Sequence, residues 1–125
     1  MEEYRARPDA RLFDALKRRE VSGAYHLFGA EEYAIEQAEK RFLGLLLPAA
    51  AALNTQRMDA PQATDVIAAC ETLPFFDERR LVFVRRLSAD EGSKLAAYVS
   101  RVPESTLLVI SERGDAAKGT LLTKM

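Results

Sequence analysis

Few residues in this sequence have the types and spacing that catalysis requires. His26 is the single histidine and Cys70 the single cysteine. His26 falls inside a predicted strand, and Cys70 has no histidine near it in sequence to act as its base. We therefore expect His26 to be an ordinary strand residue and Cys70 to be a small buried apolar residue. No group of cysteines and histidines has the spacing of a metal site, so the sequence predicts no catalytic residues and no metal.

The segment after Gly29 lies between a predicted strand and a predicted helix, where many α/β proteins bind phosphate. A phosphate-binding loop needs further glycines, a lysine and a hydroxyl group. Here the helix opens instead with Glu31 and Glu32, whose charges would repel a triphosphate. After the central strand, where magnesium-binding carboxylates would be expected, the chain has Arg85 and Arg86. The sequence therefore predicts no nucleotide cofactor.

Residues 72–86 contain the strongest candidate for binding another protein. Phe75 and Phe76 follow Pro74, which ends the preceding helix, and they precede a short apolar strand. Two successive side chains at a helix end rarely both point inward, so the pattern favours an exposed binding pair. Packing of both rings in the core remains the alternative. The arginine pairs on either side of the strand are either a solvated rim or contacts for an anion or a partner.

The composition indicates a single cytoplasmic domain. The 125 residues include 18 basic and 19 acidic ones, for a formal net charge of −1, unlike the basic surface of a protein that binds nucleic acid through phosphates. No apolar run is long enough to span a membrane, and the N-terminus has no signal-peptide core. One cysteine cannot form a disulfide within the chain, which fits a reducing compartment.

Strands and helices alternate along the chain, which predicts an α/β fold with a parallel sheet and helices on both faces. The apolar runs at residues 81–84 and 106–111 are typical of strands buried on both faces. The alanine run at 48–52 is either a loop or the start of a weaker strand. The predicted strands are 24–28, 53–58, 81–84 and 106–111, and the predicted helices begin near residues 9, 31, 61, 89 and 116.

Several segments together resemble the delta subunit of bacterial DNA polymerase III, the clamp-opening subunit of the clamp loader. In order, they are YHLFG at 25–29, EEYAIEQA at 31–38, LPFF at 73–76, ERRLVFVRRL at 78–87 and PESTLLVIS at 103–111. Their order and spacing are more specific than any one of them. The resemblance extends over residues 12–122.

This resemblance implies a fold similar to that of the AAA+ ATPases, a P-loop NTPase-like class, with a degenerate nucleotide site. It implies a non-catalytic subunit that binds the sliding clamp, the beta subunit, and opens its ring for loading onto DNA. The gripping hydrophobic pair of the family maps by position onto Phe75 and Phe76, with Leu73 and Pro74 as neighbours. Which of the four residues enters the clamp is left open.

The resemblance also implies that residues 1–125 form one N-terminal domain and that the C-terminal domains of the full protein are absent from them. Those domains would join the other clamp-loader subunits. We therefore expect the 125-residue chain to be monomeric alone, to bind no membrane, and to meet DNA only in the full assembly. The alternative is a small α/β nucleotide-binding or hydrolysing enzyme with an unrecognised phosphate loop.

Overall fold

The computed structural model describes residues 2–5, 15–19, 21–29 and 31–113. Five strands and three α-helices lie wholly within this part of the chain, with a short 3-10 turn at Val99–Arg101. The strands are β1 (Glu2–Arg5), β2 (Gly23–Gly29), β3 (Thr55–Asp59), β4 (Arg80–Arg85) and β5 (Thr106–Arg113). The helices are α1 (Glu32–Leu43), α2 (Ala63–Glu71) and α3 (Ala89–Ala96). The strands form one parallel sheet in the order β1-β2-β5-β4-β3.

The sheet has an apolar core on each of its two faces, because successive strand side chains point to opposite sides. Along β4, Leu81 and Phe83 join the buried cluster that includes α1. Val82 and Val84 join the cluster that includes α2 and α3. The uninterrupted apolar sequence of this strand follows from that double burial. The predicted α/β fold with helices on both faces is therefore confirmed.

Helix α2 begins without a capping bond from its own Gln62 side chain. Its first backbone N–H, that of Ala63, donates to Oε1 of Glu91 at 2.8 Å. Glu91 lies in the first turn of α3, where its own N–H donates to the Oγ of the capping residue Ser88. One carboxylate thus connects the starts of two helices that pack on the same face of the sheet.

The structure differs from the sequence prediction in three places. Strand β1 was not predicted, because its charged sequence EEYR has no apolar pattern, yet its backbone pairs with β2. The alanine run at 48–52 forms turns, as one of its two interpretations predicted, but the strand after it begins at Thr55 and not at residue 53. Helix α2 starts at Ala63, two residues later than expected.

The two terminal helices of the prediction fall largely beyond the described part of the chain. Residues 15–17 are helical, as expected for the helix predicted to begin near residue 9. The remainder of that helix and the helix predicted from residue 116 lie outside the described residues. Where the chain is described, no helix has both the length and the apolar character that crossing a membrane requires.

Candidate functional site

An apolar loop at residues 72–79 joins α2 to β4 and presents large side chains to solvent; we call it the phenylalanine loop. Leu73 is 77% exposed, Phe75 55% and Phe76 81%, whereas Pro74 is half-buried. The two phenyl rings contact each other edge to face, with their centroids 4.5 Å apart. The exposure expected for the pair is therefore observed, and neither ring belongs to either core cluster.

The start of the loop is fixed by hydrogen bonds at the end of α2. The last carbonyls of a helix lack partners within it, and cations near them are favourable. Here the Nε of Arg80 donates to the carbonyl of Ala69 at 3.0 Å, and Thr106 Oγ1 donates to the carbonyl of Cys70 at 2.7 Å. Side chains of β4 and β5 thus hold the helix end, and with it the entry into the loop.

The middle of the loop is bound by the side chain of Asn54, which is 0% exposed. The backbone N–H of Phe75 donates to its Oδ1 at 2.6 Å, and its Nδ2 donates to the carbonyl of Phe75 at 2.7 Å. The same Nδ2 donates to the carbonyl of Ala50 at 3.1 Å. The backbone of Phe75 is therefore anchored while its ring remains exposed.

Two further contacts hold the rest of the loop. The backbone N–H of Leu47 donates to Oδ2 of Asp77 at 2.8 Å, and Arg79 donates to the carbonyl of Arg19 at 2.5 Å. Phe76, between the anchored backbone of Phe75 and Asp77, has a φ of 57°, in the left-handed region, which costs a residue with a side chain about 1–2 kcal/mol. The surrounding hydrogen bonds maintain this conformation, so the loop is a structured element.

The apolar surface continues beyond the loop onto the turns at 44–54. Leu47 is 55% exposed and Leu53 is 59% exposed. An open cavity of about 520 Å³ separates this segment from the loop. It is lined by Arg19, Leu47, Phe76, Asp77 and Glu78. Leu47 and Phe76 both line this cavity, so exposed apolar side chains of the two segments lie near each other.

The phenylalanine loop lies at the amino edge of the sheet, because it leads directly into the first residue of β4. The segments before β3 and β5 reach the same edge, since all five strands are parallel. Open α/β sheets bind nucleotides at the opposite edge, beyond the carboxyl ends of the strands. The candidate site is therefore distinct from the position of a nucleotide site in such folds.

At the carboxyl edge, the charged residues noted in the sequence bind one another. Arg85, at the end of β4, forms ion pairs with Glu32 and Glu39, which is 4% exposed. Ser111 Oγ adds a 2.8 Å hydrogen bond to Glu39. Hydrogen bonding to Glu39 is the main reason that the pKa of Arg85 is raised. Arg86 pairs instead with Asp59 at the surface.

His26 lies on strand β2 and Cys70 on helix α2. Both are fully buried. The Nε2 of His26 lies 3.0 Å from Oε2 of Glu112 on the neighbouring strand, so its partner is distant in sequence. Burial raises the pKa of the Cys70 thiol to about 12, which removes its nucleophilic form at neutral pH. Within the described ranges no group of side chains could hold a metal ion.

Both interpretations of the arginines before β4 are wrong for Arg80. It is 8% exposed and therefore lies neither on a solvated rim nor against a partner. Besides the carbonyl of Ala69, it donates to the carbonyl of Leu53 at 3.4 Å and to Gln56 at 2.6 Å. Its role is to join β4 to the end of α2 and to the segment before β3.

Sequence reasoning missed Asn54, Asp77 and the exposed Leu47. An asparagine between an alanine-rich turn and a strand is typical of an ordinary turn residue, and its partner Phe75 lies 21 positions away. Leu47 lies in an apolar run that extends beyond the end of α1, and the sequence pattern did not assign it to the surface. The available signal was Pro48, because a helix normally ends at or before the residue that precedes a proline, which places Leu47 outside the helix.

Comparison with known proteins identifies the family. The family model for DNA polymerase III, delta subunit, matches residues 25–125, and no curated protein matches the sequence. Among solved structures, the Bacillus subtilis DNA clamp loader delta protein (YqeN) superimposes with a TM-score of 0.74 at 23% identity, covering 90% of this chain. This chain spans 38% of that protein. The match over most of its length shows that the chain belongs to the DNA polymerase III delta subunit family.

Proposed function

We propose that this chain binds the sliding clamp of the replicative DNA polymerase, the beta subunit, through the phenylalanine loop. Leu73, Pro74, Phe75 and Phe76 are the binding residues. The observation that carries the proposal is that the pair is exposed on an anchored loop. Burying an exposed phenyl side chain contributes about 1.5–3 kcal/mol, so two adjacent rings can dominate an interface.

The clamp-binding domain opens the ring by binding its open form more tightly than its closed form. A ligand shifts a conformational equilibrium only by its differential affinity for the two states. A shift from mostly closed to mostly open rings needs about 5.5 kcal/mol of such differential affinity. Contacts of the phenylalanine loop with one interface of the ring contribute to this differential affinity, and the subunit itself performs no chemical step.

The same proposal assigns no nucleotide chemistry to this subunit, although its fold is AAA+-like. Arg85 and Glu32, at the carboxyl edge of the sheet, pair with each other. Neither supplies the lysine or the hydroxyl that a phosphate loop requires. These observations oppose the alternative of a small nucleotide-binding or hydrolysing enzyme.

Binding to the remaining partners is assigned to parts of the full protein beyond the described residues. The other clamp-loader subunits bind through C-terminal domains of the full protein, and DNA is met only in the full assembly. The near-neutral composition, with 18 basic and 19 acidic residues, supports a protein partner for this domain over nucleic acid.

The test is release of a clamp that has been loaded onto circular DNA. The wild-type protein should bind the clamp and release it from the DNA without ATP, whereas the Phe76→Ala variant should do neither at the same concentration. Tyr33→Ala is the matched control, because Tyr33 is an aromatic residue 69% exposed at the start of α1, by the opposite edge of the sheet. Equal loss in both variants, or no release by the wild type, would contradict the proposal.

A further inference from the structure

We propose that Asn54 is the positioning residue that holds Phe75 and Phe76 in their clamp-binding geometry. This inference rests on the proposed function. It gives a buried side-chain amide the role of ordering the residues that bind the clamp. All the hydrogen bonds of the Asn54 side chain go to backbone atoms, two of them to Phe75 and one to Ala50. The clamp itself would not touch it, because Asn54 is 0% exposed.

Asn54 is suited to this role because it is fixed to the sheet. Its backbone carbonyl accepts from Leu81 N at 2.7 Å, and its N–H donates to the carbonyl of Ala50 at 3.1 Å. An amide side chain can both donate and accept, so one residue satisfies the N–H and the C=O of Phe75 together. The Asn54 side chain thereby connects strand β4 to the loop.

The backbone conformation at Phe76 indicates that its surroundings, which include the hydrogen bonds of Asn54, hold the loop in one conformation. Phe76 adopts a φ of 57°, which a phenylalanine disfavours and which persists only where the surroundings impose it. A buried amide is itself costly unless it is fully bonded, so an apolar residue would serve a purely packing role better. An aromatic pair ordered before binding loses less conformational entropy when it enters an apolar pocket.

The inference is tested by measuring affinity for the sliding clamp of the same organism in a double-mutant cycle. Asn54→Ala should weaken binding about tenfold in the otherwise wild-type protein. In the Phe75→Ala, Phe76→Ala background the same change should have little further effect, because the rings that it positions are gone. An equal loss in both backgrounds, or no loss in the wild-type background, would overturn the inference.

A stability control separates positioning from general destabilisation. Ile35→Ala removes a buried side chain (1% exposed) from α1 by the opposite edge of the sheet. This variant should lose stability to denaturant and keep its clamp affinity. If it loses as much affinity as Asn54→Ala, the effect of Asn54 is on stability alone and the inference fails. A wild-type protein without clamp affinity would instead contradict the proposed function.

Hydrogen exchange in the wild-type protein tests the anchoring with no variant and no clamp. The Phe75 amide, although its ring is exposed, should exchange at least about a hundredfold more slowly than an unstructured amide, because its N–H is bonded to Asn54. Where Asn54→Ala folds, this protection should disappear while that of β4 and β5 remains. Exchange of the wild-type Phe75 amide at the unstructured rate would overturn the inference.

Discussion

The guanidinium of Arg85 donates to both oxygens of the Glu39 carboxylate, with N–O distances of 2.8 and 3.3 Å. Glu39 is 4% exposed on its side chain, and Arg85 is 26% exposed. The carboxylate lies between strand β4 and helix α1, where it would be strongly destabilised without a cation. The carboxyl edge of the sheet is therefore neutralised by internal pairing.

Removing that cation should destabilise the fold. Arg85→Met removes the nearest cation from the buried Glu39 carboxylate and leaves it only the 3.6 Å contact with the more exposed Arg57. We expect a loss of about 3 kcal/mol in the free energy of unfolding, measured with urea. Arg86→Met is the matched control, because its ion pair with Asp59 is exposed on both sides. A loss in the control as large as in Arg85→Met would show that the buried pair has no special role.

The protein should not bind ATP. The carboxylate of Glu32 occupies the first turn of α1 and pairs with Arg85, so neither group is available to phosphate or magnesium. Titration calorimetry with ATP and magnesium should give no heat beyond dilution. A saturable isotherm in the micromolar range would contradict the proposed function and favour the nucleotide-binding alternative.

The contribution of Glu91 to stability should depend on pH. Its pKa is lowered, first by the N–H of Ala63 and then by Lys94. Because the pKa of Glu91 is lower in the folded state than its ordinary value of 4.5, its ionised carboxylate stabilises the fold at pH values above 4.5. This contribution is lost as the pH falls through the pKa of the folded state. Glu91→Gln should therefore be less stable than the wild type at neutral pH, and the difference should shrink at about pH 3. An equal difference at both pH values would contradict a charge effect.

Cys70 should be unreactive in the native protein. It lies on the buried face of α2, and its pKa is raised to about 12, chiefly by desolvation. A maleimide should label it only as fast as the protein unfolds, and denaturant should accelerate the labelling. Rapid stoichiometric labelling of the native protein would show that this face of α2 opens or that the thiol is accessible.

The parts of the fold that sequence reasoning predicted are those that local pattern determines. The apolar run of β4 has no polar residue between Leu81 and Val84, so its burial on both faces could be expected. The spacing of Ile35, Ala38 and Phe42 likewise predicted the buried face of α1. Strand β1 could not be predicted, because backbone pairing with β2 is its defining feature.

The site was predictable only in part, for a similar reason. Pro74 and the two phenylalanines suggested an exposed pair, because a stopped helix followed by apolar residues is a local pattern. The hydrogen bond between Asn54 and Phe75 joins residues 21 positions apart, and no periodic pattern in the sequence indicates such a contact. Burial of Arg80 depends on carbonyls exposed at the end of α2, which only the assembled fold brings within reach.

The most direct test of the account is one variant, Phe75→Ala with Phe76→Ala, assayed for both clamp affinity and thermal stability. Because these rings are exposed and lie outside the core clusters, the melting temperature should barely change. Clamp binding should weaken by about 2–4 kcal/mol, as expected for a dominant anchor. If the rings were core residues, each substitution would cost about 3–5 kcal/mol of stability. A variant that melts far earlier than the wild type, or that binds the clamp as tightly, would contradict the central claim.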